Sequence, residues 1–220
     1  MIKKKIGVFG GTFDPIHNGH LAMARALKLA LGLDEMRLLP CHQPSHRQPA
    51  VSSCQRAEMA ELAVADCEYL SVDSRELQRD DSSYSIDTLI ELRAELDLDV
   101  GTDVSLTLCM GMDSLNSLSS WHRWQELLGC AHIAVVARPG TSLPESGELV
   151  PWLLEYGGSV DTINCRAAGS VAVFDLGLVP ISATDIRSRI STNESIDSLV
   201  PDTVRYYIKE HGLYRSKNSI

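Results

Sequence analysis

Several common sources of chemistry are missing from this 220-residue chain. Its six cysteines, Cys41, Cys54, Cys67, Cys109, Cys130 and Cys165, never form a C-x-x-C pair, which argues against a zinc ribbon or redox dithiol and for reduced thiols in a cytoplasmic protein. Positive charge is also short. Twenty lysines and arginines face 29 acidic residues, a net charge of -9, so a protein that coats DNA or RNA backbones is excluded while a locally basic pocket for a small anion is not. No run approaches the roughly 18 to 20 apolar residues of a membrane span. Lys3 to Lys5 lead directly into Ile6-Gly7-Val8-Phe9, a strand-like stretch and not the apolar core of a secretion signal. There is no internal repeat, low-complexity tract or linker, and one domain over residues 1–220 is expected. Among nucleotide fingerprints, G-x-G-x-x-G and Gly-Lys-Ser/Thr are both absent.

What the chain does have is Gly10-Gly11-Thr12-Phe13-Asp14-Pro15-Ile16-His17-Asn18-Gly19-His20. Lys3 to Phe9 favours a strand, the glycines allow a tight turn, Asp14-Pro15 makes a second, and Asn18 can cap a helix running to Leu31 and Gly32. Unpaired N–H groups at a helix start, with the helix dipole, favour an anion there. His17 and His20 share a face of the first turn and can point at that anion together, although they can equally cap or pack at the helix start. A His-x-x-His pair can also ligate zinc, but no H-E-x-x-H motif or cysteine cluster supplies a third ligand, and no metal site is expected.

Further along, strand-like and helix-like stretches alternate, the pattern of parallel strands joined by crossover helices. Strands are expected at Met36 to Pro40, Tyr69 to Asp73, Val104 to Met110, Ala131 to Ala137 and Val171 to Asp175. Helices are expected at Gln55 to Val64 and Tyr84 to Leu96. Between Thr141 and Gly169 only Glu148 to Tyr156 reads as helix, within a loop-rich excursion. A final helix from Pro201 to His211, with proline at its first position and Gly212 past its end, carries Val204, Tyr207, Ile208 and His211 on one stripe.

A second candidate anion site is Ile181-Ser182-Ala183-Thr184-Asp185-Ile186-Arg187, where Ser182 and Asp185 have capping-box spacing. The hydroxyls of Ser182 and Thr184, helical N–H groups and Arg187 would form a phosphate cradle.

Together, GGTFDPIHNGH and ISATDIR resemble the nucleotidyltransferases with an HxGH motif, and in particular the bacterial nicotinate-mononucleotide adenylyltransferases of NAD biosynthesis, over essentially the whole chain. Pro44-Ser45-His46-Arg47, Ser83-Tyr84-Ser85, Gly111-Met112-Asp113-Ser114-Leu115 and Trp121 follow in that family's order. The fold so implied is α/β: a Rossmann-like, doubly wound, mostly parallel sheet with flanking helices and a C-terminal helical segment. The resemblance implies that ATP lies over Gly10, Gly11, Thr12 and Phe13, with His17, His20 and Arg187 as catalytic residues on its phosphates. It further implies Gly111 and Asp113 at the adenosine, and Ser182 and Thr184 closing the other side. His46 and Arg47 would add positive charge toward the phosphates, Tyr84 and Ser85 would bond the pyridine carboxylate, and Trp121 would stack on its ring. Mg2+ would arrive with ATP. Ser45 replaces the second proline of the family's P-P-H-K/R, Ala183 a common serine, His122 a frequent tyrosine and Ser85 a frequent threonine. Sister enzymes that use phosphopantetheine with ATP or a phospho-alcohol with CTP share the histidine motif, and a catalytically silent nucleotide-binding protein is the alternative of another class.

In the implied reaction the mononucleotide phosphate attacks the α-phosphorus of ATP. With a second pKa of about 6 that phosphate is already an anion at neutral pH, so no general base is needed. Catalysis then consists of aligning two anions and stabilising the charge that develops. The chain accordingly shows no nucleophile with a partnered base.

Overall fold

A computed structural model describes residues 2–44, 48–79, 83–99, 103–137, 139–179 and 181–216. Its six strands are β1 (Lys4–Gly11), β2 (Glu35–Pro40), β3 (Leu70–Val72), β4 (Val104–Gly111), β5 (His132–Val136) and β6 (Val171–Phe174). They form one sheet in the order β3-β2-β1-β4-β5-β6. The pairings of β1 with β4, β4 with β5, and β5 with β6 are parallel; Phe9 lies opposite Cys109 and Gly111 opposite Val136. Every residue of β4 but its last, and all of β5, is buried. This double-sided burial is why both read as unbroken apolar runs and not as alternating ones. The strand order reverses between β1 and β4, and sheets of this order bind nucleotides beyond the carboxyl ends of the strands at such a reversal. The expected Rossmann-like α/β class is the one observed.

Nine α-helices are found among the described residues: α1 (Asn18–Leu31), α2 (Ser53–Val64), α3 (Ser85–Asp99), α4 (Met112–Asn116), α5 (Leu127–Cys130), α6 (Leu149–Tyr156), α7 (Val160–Cys165), α8 (Ala183–Ser191) and α9 (Asp202–Glu210). Helix α2 begins with a full capping box, in which the Ser52 hydroxyl accepts from Gln55 N and the Gln55 carboxamide accepts from Ser52 N. Pro201 stands at the cap of α9, one place before the first helical position expected for it. None of these helices is long and apolar enough to cross a membrane.

The chain divides into two compact units interleaved in sequence. One comprises Met1–Gly10, Met23–Arg37 and Tyr84–Leu178; the other comprises Gly11–Ala22, Leu38–Ser83 and Val179–Ile220. In the first, Ile6, Val8, Leu106, Ile133 and Val135 make the sheet's share of the core, and Leu27, Leu89 and Leu92 the helical share. Arg93 of α3 donates to the carbonyls of Cys130, Val104 and Ala167 and thereby ties the starts of β4 and β5 to the segment before β6. In the second, Phe13, Ile16, Met59, Ile186, Val204 and Ile208 are buried. Helix α9 lies on α2, with Thr203 donating to the Leu62 carbonyl and the Tyr207 hydroxyl to Glu58. Val204 and Ile208 of the expected stripe are buried, whereas His211 is exposed.

His132 is fully buried in β5; its Nδ1 accepts from Ser170 N at 3.1 Å and its Nε2 lies 3.0 Å from the Arg166 carbonyl. Burial first, then the charges of Arg93 and Arg166, hold its pKa below the ordinary value of 6.5. The unfolded chain therefore takes up a proton that the folded chain refuses. Stability is complete above pH 6.5 and falls as pH drops from there toward the folded value. Urea unfolding between pH 7.5 and 5 is expected to show this loss, with a slope of no more than about 1.4 kcal/mol per pH unit for one proton, and His132→Gln to flatten it.

Candidate active site

Local geometry explains the glycines and the histidines of the first motif. A Cβ on Gly11 would sit 2.7 Å from the Phe13 ring. That ring folds back beneath the turn because Phe13 adopts a left-handed φ of 48°, and its buried edge meets His20 at a centroid distance of 5.0 Å. The following Asp14–Pro15 bond is cis. Helix α1 then starts at Asn18, but its cap is His17 and not the expected Asn18. His17 Nδ1 accepts from His20 N and His20 Nδ1 accepts from His17 N, each at 3.3 Å, a reciprocal capping box made of two imidazoles. Asn18 instead ties the helix start to a distant loop, its side chain donating to the Ser198 carbonyl and its N–H to that of Leu199.

The box has a chemical consequence. An Nδ1 that accepts an N–H directs its lone pair at it, so the box favours the tautomer with the proton on Nε2. The rings also stack at a centroid distance of 3.6 Å, where two imidazolium charges would repel.

The second motif lies against the first. A Cβ on Gly19 would stand 3.1 Å from both His17 Nδ1 and Ile181 Cβ, so the glycine lets the residue just before Ser182 pack on α1. Arg187 Nη1 donates to the Asp14 carbonyl at 2.6 Å and Nη2 to the Thr184 hydroxyl at 3.2 Å. Ser182 caps α8 by backbone only: it makes no side-chain capping bond, and Asp185 pairs with Arg189 at 2.8 Å. The expected capping box is therefore absent, because an arginine one turn along is a stronger partner for a carboxylate than a backbone amide. The exposed Ser182 and Thr184 hydroxyls stand at the start of α8.

One residue of this group, Arg56, carries no local signal in the sequence. Arg56 of α2 is fully buried, and its guanidinium donates to the Thr12 carbonyl at 2.6 Å and the His42 carbonyl at 2.8 Å. Asp14 is also buried; its carboxylate accepts from Ala50 N and the Tyr214 hydroxyl, both at 2.8 Å. His46 and Arg47 lie outside the described residues.

Residues expected around the adenosine and pyridine fall in the other unit. Gly111 ends β4 and caps α4, whose first turn holds the exposed Asp113. Gly10 precedes the turn at the end of β1, and a Cβ there would meet nothing within 4 Å. Tyr84 packs on His122 with ring centroids 4.4 Å apart, and Arg123 reaches Asp87 of α3 at 3.5 Å and Glu126 at 2.7 Å. The turn containing the half-buried Trp121 is thereby brought to the start of α3, where Ser85 lies. Trp124, not Trp121, does the core packing, edge-on to Trp152. Cys109 is buried, and burial pushes its thiol up to about 12, away from the reactive thiolate. Among the described residues no group of three or more His, Cys, Asp or Glu side chains is arranged to hold a metal ion.

A Rossmann-like sheet whose first strand leads into a histidine-capped helix is the frame that the resemblance to HxGH nucleotidyltransferases implies. Consistent with this, the model of the cytidylyltransferase-like family matches residues 8–194. Relatives named "Probable nicotinate-nucleotide adenylyltransferase" are 49% identical in Cellvibrio japonicus, covering 97% of this chain and all of that one, and 48% identical in Pectobacterium atrosepticum, covering 94% and 97%. The chain belongs to the cytidylyltransferase-like family and, within it, to the nicotinate-nucleotide adenylyltransferases. Its fold is that of the Plasmodium falciparum nicotinic acid mononucleotide adenylyltransferase solved in complex with NaAD, at a TM-score of 0.70 and 14% identity over 96% of this chain and 97% of that one. The same enzyme complexed with APC gives a TM-score of 0.67 at 15% identity over the same shares.

Proposed function

We propose that this enzyme transfers the adenylyl group of ATP to nicotinate mononucleotide, forming nicotinate adenine dinucleotide and pyrophosphate in the cytoplasm, as a single nucleotidyltransferase domain. The observation that carries the reading is the junction of the two motifs, in which Ile181 packs on Gly19 while Arg187 is held on the Asp14 carbonyl. Two imidazoles, one guanidinium and an α8 start without a side-chain cap are groups suited to an α,β-phosphate.

In the mechanism that follows, the ionised phosphate of nicotinate mononucleotide attacks the α-phosphorus in line. A new phosphorus–oxygen bond forms, the bond to the bridging β-phosphate oxygen breaks, and pyrophosphate leaves as an anion. Gly10, Gly11, Thr12 and Phe13 present the turn over which ATP lies, and Gly111 and Asp113 receive its adenosine. His17 and His20 donate from Nε2 to the phosphate oxygens, Arg187 supplies the positive charge, and Ser182 and Thr184 add hydroxyl donors. His46 and Arg47, which lie outside the described residues, would add positive charge toward the phosphates, as the family resemblance implies. Tyr84, Ser85 and Trp121 recognise the pyridine and its carboxylate. Mg2+ carried with ATP would be held chiefly by its phosphate oxygens and water, and would offset the negative charge of the phosphates.

Purified protein with MgATP and nicotinate mononucleotide is expected to release pyrophosphate. Its kcat/KM for the acid mononucleotide should exceed that for the amide by at least about tenfold, since a site that bonds a carboxylate leaves groups unpaired against an amide. Preference for phosphopantetheine, or for CTP with a phospho-alcohol, would replace this reading with that of a sister enzyme. Tight ATP binding without pyrophosphate release would mark a nucleotide sensor.

A further inference from the structure

The buried Asp14 carboxylate lies at the centre of a network that joins segments far apart in sequence. Oδ2 accepts from Ala50 N, and Oδ1 accepts from the hydroxyl of Tyr214, which follows α9 near the end of the described chain. Arg187 Nη1 lies 3.9 Å from Oδ2, too far for a direct hydrogen bond, and donates instead to the Asp14 carbonyl. Nη2 is held on Thr184. Two of the guanidinium's five N–H donors are thus engaged, and its plane is set.

A buried carboxylate needs donors, and a guanidinium 3.9 Å away is a stronger donor than a phenol or an amide. With both oxygens already accepting hydrogen bonds, Asp14 orients Arg187 through its carbonyl and keeps only a loose 3.9 Å ion pair with it, without drawing the guanidinium into a direct hydrogen bond. Burial, then the charge of Asp14, raises the Tyr214 pKa far above its ordinary value; Arg187 and Arg56 oppose this more weakly. The phenol therefore remains a donor. Tyr214 itself is fixed between the buried Leu213 and a left-handed φ of 61°.

We propose that Tyr214 is a positioning residue for catalysis: by satisfying Asp14 it keeps the Arg187 guanidinium available to the phosphates, which makes the segment after α9 part of the catalytic apparatus. The proposal rests on the reading of Arg187 as a phosphate ligand in adenylyl transfer. Its rival is that Tyr214 only anchors the end of the chain.

The test is a cycle of Tyr214→Phe, Arg187→Ala and the double variant, with the exposed Tyr206→Phe as control. It is read by steady-state kinetics and by calorimetric binding of inorganic pyrophosphate. Tyr214→Phe is expected to lower kcat about tenfold with KM for the mononucleotide within about twofold, and to weaken pyrophosphate binding, as a displaced charge does. In the Arg187→Ala background the same change should cost nothing further. Asp14→Asn supplies a second check: a neutral amide no longer draws the guanidinium, so Tyr214→Phe should be nearly silent in that background. Equal losses with and without Arg187, or a kcat within about twofold of wild type, would overturn the positioning role while leaving adenylyl transfer intact. Pyrophosphate binding with no dinucleotide formed would overturn the reaction, and the binding cycle would still report on Tyr214. A wild-type protein that does neither would overturn both.

Discussion

Replacing His20 with alanine is expected to lower kcat by about 10²- to 10³-fold while KM for ATP changes little, the loss typical of removing one donor aimed at developing charge. The ring's two nitrogens explain why so much rests on it. Nδ1 accepts from His17 N, which holds the ring plane and favours a proton on Nε2. Alanine removes both, but His17 Nδ1 still accepts from the backbone N–H at position 20, so half of the capping box survives. The stability cost should therefore stay near 1 kcal/mol, and thermal unfolding would separate this from the catalytic loss. An unchanged kcat would remove His20 from the chemistry. Nitrogen-15 correlation spectra of the imidazoles test the tautomer independently: protonated Nδ1 atoms would contradict the reciprocal box.

Arg56→Met should be the most damaging single change to stability in this part of the molecule. The guanidinium is fully buried and makes charge-assisted bonds to the carbonyls of Thr12 and His42, each contributing about 1.5 to 3 kcal/mol. Methionine fills similar space and relieves the burial of a charge, which offsets part of the loss, but it leaves two carbonyls without these donors. A net fall of about 3 kcal/mol corresponds to roughly 6 to 12 °C in melting midpoint for a chain of this length. A midpoint within 2 °C of wild type, on the scale where about 1 kcal/mol moves it at least that far, would show that the clamp is dispensable. Activity should fall too, since Thr12 belongs to the turn over which ATP is proposed to lie. Arg56→Lys should not rescue either property, because a single ammonium lacks the fork that reaches two carbonyls at once.

Neither Arg56 nor Tyr214 could have been picked out by pattern. On a helix, an arginine beside alanine and glutamate reads as a solvated surface residue, and its burial depends on carbonyls 44 and 14 residues away. Tyr214 meets Asp14 across 200 residues. Helix α7 escaped detection for a different reason. Ser159 and Thr162 do form a reciprocal cap, but the helix is six residues long and buries only Ile163, too little for an apolar stripe. The Ser182–Asp185 spacing misled in the opposite direction, because a local motif was outcompeted by Arg189.

The elements of the sheet, the glycine turn and the two motifs proposed to bind phosphate were legible because their causes are short-range. Strand runs reflect burial on both faces, the paired histidines lie within one helical turn, and ISATDIR carries its own helix start. What the histidine Nδ1 atoms accept, what holds Arg187, and how closely Ile181 approaches Gly19 all depend on groups that meet only after folding. Hydrogen-bond partners compete across the whole chain for each buried donor and acceptor, and only the assembled packing says which of them wins.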